Sequence, residues 1–91
     1  MSAVERDPVV DGLREQIAAA DRDLVTVANR RLRLVAQLWE HKRAQGQPLT
    51  APERERWLYE HLAASNEGPL SDRGLDELVA FVLDLTKREL T

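Results

Sequence analysis

A single helical rhythm of apolar residues is held from about Val9 to Arg43. Val10, Leu13, Ile17, Ala20, Leu24, Val27, Arg31, Leu34 and Leu38 succeed one another at steps of three and four, the pattern of a packed helix face. At ~1.5 Å per residue, one helix over that span measures roughly 50 Å, well beyond the average globular helix. Arg31 stands on this seam where a leucine is expected. An unmet guanidinium in a core costs on the order of several kcal/mol, so the position calls for either a protein carboxylate or an anionic ligand.

The remainder of the chain divides at its turn residues. Gly46 and Pro48, within Ala44 to Leu49, break the first helix. Thr50 followed by Glu53 fits a capping box, and Pro52 suits a first turn because its missing N–H does no harm there. A second helix is expected to about Ala64. Asn66, Gly68 and Pro69 mark a loop, after which Ser71 or Asp72 caps a third helix. Leu75, Leu78, Val79, Val82, Leu83 and Leu85 give that helix a wide apolar face to about Leu90. No segment reads as a strand, a repeat or a low-complexity run. The expected fold class is therefore all-α, with one long and two short helices; residues 1–8 read as a flexible N-terminus and residues 9–91 as a single domain.

A chain of 91 residues buries only a marginal core, and this one has no cysteine for disulfides and no Cys/His cluster for a structural metal. Self-association is the remaining source of stability. The first helix is also longer than either helix available to cover it, which a two-fold homodimer of packed long helices repairs. The formal charge of −3, with sixteen acidic against thirteen basic residues, argues against a nucleic-acid partner. No run of 18 apolar residues suggests a membrane span, and Met1 to Pro8 lacks the features of a signal peptide, so the expected location is the cytoplasm.

Arg31 and Lys42 lie eleven positions apart, so they project within roughly 20° of each other and ~16 Å apart along a helix axis. Side chains of that length can hold the two ends of a small anion. Arg14 precedes Arg31 by seventeen residues, or ~25 Å of helix, too far for one small ligand to touch both on one straight helix. If Arg14 shares the pocket, it arrives from a second subunit. Arg54, in the first turn of the second helix, can return to the same place with Glu55 beside it. Arginines on small acidic helical proteins are usually solvated or weakly paired at the surface; that reading stays open for Arg54 and fits Arg31 poorly.

With these residues in view, the chain resembles the all-helical chorismate mutases over nearly everything from Leu13 to Leu90. The resemblance rests on Leu13-Arg14-Glu15-Gln16-Ile17 with Asp21 following, on Asn29-Arg30-Arg31-Leu32 with Lys42, on Gly46-Gln47-Pro48-Leu49 and Pro52-Glu53-Arg54-Glu55, and on Gly68-Pro69-Leu70-Ser71. It implies an intertwined helical homodimer that converts chorismate to prephenate in aromatic amino acid biosynthesis, without a cofactor. It further implies that Arg31, Arg54 and Lys42 hold the substrate's carboxylates, with Lys42 also near the ether oxygen, and that Arg14 comes from the neighbouring subunit. Glu55 matches the glutamate that binds the ring hydroxyl, and Leu38 and Leu83 match apolar walls.

The implied reaction is a unimolecular pericyclic shift needing neither nucleophile nor proton transfer. A catalyst must hold the dianion in a compact chair and stabilise charge growing on the ether oxygen. His41 and His61 accordingly read as solvent-facing. Three positions qualify the match: Thr86 falls at the family's serine, Leu90 at the glutamine that donates to the ether oxygen, and Ala51 at a common aspartate. The Leu90 exchange implies slow catalysis. Related readings are an isochorismate pyruvate-lyase, which the Ala51-Pro52-Glu53-Arg54 turn resembles, and an aminodeoxychorismate mutase. A third is a non-catalytic or partner-dependent dimer that docks on another shikimate-pathway enzyme. Glu55 favours a mutase.

Overall fold

The computed structural model describes residues 7–91, and every regular element among them is helical: α1 (Pro8–Ala44), α2 (Pro52–Ser65) and α3 (Asp72–Leu90). The expectation of a flexible segment over residues 1–8 falls, for residues 1–6, outside the described residues. Asp7 precedes α1 and Pro8 begins it. The Asp7 carboxylate Oδ1 accepts from the backbone N–H of Val9 at 2.9 Å and Val10 at 3.4 Å, and Pro8 occupies the first helical position, where its fixed φ is already helical. Gly12 lies inside the helix without interrupting it, although glycine costs about 1 kcal/mol there relative to alanine.

α1 ends on a glycine with the required sign of φ. Gly46 has φ of 67°; Gln47 N–H donates to Lys42 C=O at 2.8 Å and Gly46 N–H to Arg43 C=O at 3.1 Å. This pair of bonds is a Schellman motif, which satisfies carbonyls that the end of a helix leaves over.

The start of α2 corrects the expected capping box. Pro52 is the first helical residue, so Ala51 rather than Thr50 is the N-cap, and no side chain caps it. The shift has a simple cause: a proline in the first turn is best accommodated at its first position, and that places the cap one residue before it. α3 is capped as expected, with Ser71 Oγ accepting from Gly74 N–H at 3.0 Å. Ser71→Ala is expected to cost about 1 kcal/mol and lower the thermal midpoint by roughly 4–8 °C. Circular dichroism melting checks this, and an unchanged midpoint would assign the cap no weight.

The chain divides into two compact units, Met1–Arg33 and Leu34–Thr91. The described part of the first is α1 up to Arg33. Its seam faces solvent: Leu13, Ile17, Leu24 and Val27 are exposed, Leu24 by 66%. The packed face expected from the spacing is thus not packed within the chain, because a single helix has nothing of its own to bury a stripe against.

In the second unit Trp39, Leu75 and Val79 are buried, Trp39 to 6% exposure, and α2 packs on α3. Here α1 buries Trp39 and half-buries Val35 and Lys42, while Leu34 and Leu38 stay exposed. The inward stripe therefore lies one residue on from the seam, about 100° round the helix.

Candidate active site

Within the first unit, Arg14 lines an open hollow with Asp11, Glu15 and Ala18 of the same helix and is exposed. Arg31 is half-buried. Loss of water on burial pushes its guanidinium below its ordinary pKa, the direction expected of a cation in a poorly solvated place. It still carries its proton at any ordinary pH.

Within the second unit, Lys42 is half-buried, and its Nζ donates to the carbonyl of Leu49 at 3.5 Å. The bond spans the Gly46 turn and ties the ammonium to the segment leading into α2. Arg54 is exposed, and its guanidinium carbon stands 3.7 Å over the Trp57 ring. Trp57 in turn stacks on His61 at 4.4 Å between centroids and 12° between planes. Residues three and four apart share a helix face, so Arg54, Trp57 and His61 form one stacked column along α2. A cation held over an indole gains about 0.5–1 kcal/mol at an exposed site and loses freedom of orientation. His41 and His61 are both exposed, as expected.

Glu55 is half-buried on α2 and meets α3. Lys87 Nζ lies 3.5 Å from one carboxylate oxygen and 3.4 Å from the other. Thr86, the residue before Lys87, is buried to 5% exposure, and its hydroxyl donates to Val82 C=O at 2.7 Å. Leu83 and Leu90 on the same helix and Ala51 at the start of α2 are half-buried, whereas Leu38 is exposed. Sequence reasoning missed two participants. Lys87 left no local signal, because it sits 32 residues from Glu55. Trp57 was legible, being three residues after Arg54 on a helix, where a cation–π pair is geometrically natural.

Among the described residues no cluster of three or more His, Cys, Asp or Glu is placed to hold a metal ion, and no helix is long and apolar enough to cross a membrane. Within the second unit, the half-buried Lys42 and the Glu55–Lys87 pair that joins α2 to α3 are the charged groups set closest to its apolar core.

The fold is one already seen in a solved structure. It matches the structure of a chorismate mutase (form II) from Thermus thermophilus with a TM-score of 0.83 and 24% identity, covering 87% of this chain and 90% of that one. At that identity the likeness establishes the fold alone. Curated proteins give no match to the chain. The family model for chorismate mutase type II matches residues 13–89, and the chain belongs to that family.

Proposed function

We propose that the chain is a chorismate mutase acting as a homodimer with two shared sites, each converting chorismate to prephenate. The observation that carries this reading is Arg31, a half-buried cation with a pKa lowered by burial on the apolar helix of a chain belonging to this family. Its charge has lost part of its water, and a substrate carboxylate adds charge-assisted, bidentate hydrogen bonds to a guanidinium in such a place. The exposed seam from Val10 to Leu38 supports the dimer, since a second long helix buries what the single chain leaves wet.

In this reading Arg31 and Arg54 bind the two carboxylates, and Lys42 binds a carboxylate while facing the ether oxygen. Arg14 reaches in from the neighbouring subunit, and Glu55 accepts the hydrogen bond of the ring hydroxyl. Leu38, Leu83, Ala51 and Thr86 wall the pocket. Catalysis comes from holding the dianion in its reactive chair and from placing positive charge where the breaking C–O bond leaves negative charge. Purified protein incubated with chorismate is expected to yield prephenate. Salicylate from isochorismate would identify a lyase instead, and turnover only after addition of another shikimate-pathway enzyme a partner-dependent protein.

Leu90 is where the site lacks a donor. One oriented hydrogen bond to a developing oxyanion commonly contributes a hundredfold or more to the rate. Leu90→Gln is expected to raise kcat by at least about tenfold, the discount reflecting its place in the last turn of α3, with KM nearly unchanged because the bond strengthens only in the transition state. Steady-state kinetics on the two proteins checks this. A lower KM with unchanged kcat would mean that the new amide binds ground state and transition state equally.

A further inference from the structure

We infer that Lys87 sets what the Glu55 carboxylate accepts, so that the site takes a ring hydroxyl in preference to an ammonium at the same position. The inference rests on the reading that Glu55 binds the ring substituent of chorismate.

Alone, a glutamate makes no such choice: its carboxylate accepts from a hydroxyl and attracts an ammonium more strongly. Here the Lys87 ammonium already lies against both carboxylate oxygens, at 3.5 and 3.4 Å. An ionised carboxylate has about four acceptor positions, so the contact leaves room for another donor while cancelling most of the field that draws in a cation. A hydroxyl approaching Glu55 meets a free lone pair. An ammonium approaching the same oxygen is brought within a few ångströms of a like charge, in a partly buried place where water screens it incompletely.

The neighbouring charges leave this pairing intact. On α3, Asp84 is engaged by Arg88 at 2.9 Å, so the acid one turn before Lys87 has its own cation. On α2, Arg54 stands over Trp57. With side-chain exposures of 47% for Lys87 and 30% for Glu55, the discrimination is expected to be about tenfold rather than absolute.

A bridge that merely braced α2 against α3 would affect stability and treat both substituents alike, so the informative readout is a ratio. We would measure kcat/KM for chorismate and for an analogue carrying a primary ammonium in place of the ring hydroxyl, using wild type, Lys87→Met and Lys87→Arg. Calorimetric binding of the same two compounds gives the ratio where turnover is slow. Wild type and Lys87→Arg are expected to prefer the hydroxyl compound, and Lys87→Met to lose about tenfold of that preference. Lys87→Gln serves in its place if the methionine variant loses helix. Chorismate turnover with one preference ratio in all three proteins overturns the Lys87 assignment alone, as does a wild type that favours the ammonium compound. A wild type that neither binds nor converts either compound overturns the chorismate reading, and this inference with it.

Discussion

Arg31→Ala is expected to lower kcat/KM for chorismate on the order of a thousandfold while leaving the chain helical. Half-burial has already stripped this guanidinium of part of its water, which is why its pKa is pushed down. A carboxylate that meets it forms charge-assisted, bidentate hydrogen bonds in a setting where Coulomb attraction is weakly screened. In the proposed site the fixed direction of the guanidinium fork also helps to hold the dianion in its compact conformer, so the loss is expected on kcat as well as KM. Arg31→Lys is expected to recover only part of the activity, because an ammonium restores the charge without the fork. Following the disappearance of chorismate in each variant, beside its far-UV circular dichroism, separates lost chemistry from lost structure. A folded Arg31→Ala protein within tenfold of wild-type activity would remove the residue from the site.

Mixing two inactive variants is expected to restore activity. Arg14→Ala and Lys42→Ala each destroy both pockets of a homodimer if every pocket draws Arg14 from one subunit and Lys42 from the other. In a heterodimer of the two, one pocket receives both intact cations and the other neither. With equal mixing and random exchange, about half of the dimers are hybrid and one pocket in two is complete, giving about a quarter of wild-type activity per subunit. Each parent alone is expected to fall by at least about a hundredfold. Refolding the proteins together and measuring prephenate production checks this. A mixture no better than its parents would count against a pocket that Arg14 and Lys42 share across two subunits.

The helices, their order and most of their ends were legible from periodicity and turn residues alone. The long apolar rhythm marked α1, Gly46 ended it, and Ser71 opened α3. Two local features differ from expectation for physical reasons. Pro52 takes the first helical position and moves the α2 cap from Thr50 to Ala51. The α1 seam reads as a buried face, whereas the chain's own core takes the adjacent stripe through Val35 and Trp39. Periodicity shows that a face is apolar; it does not say which molecule covers it. At the candidate site, the unusual position of Arg31 could be read from a single helix. The meeting of Glu55 with Lys87 could not, because no local rule relates side chains on two helices whose packing depends on the rest of the fold.

Because α1 is dry along Val35 and Trp39 and wet along Leu34 and Leu38, neighbouring letters of one helix answer to different selective pressures. Changes at the tryptophan alter whether an individual molecule folds. Changes one position earlier alter only what the helix offers to its surroundings, while each molecule keeps its own core.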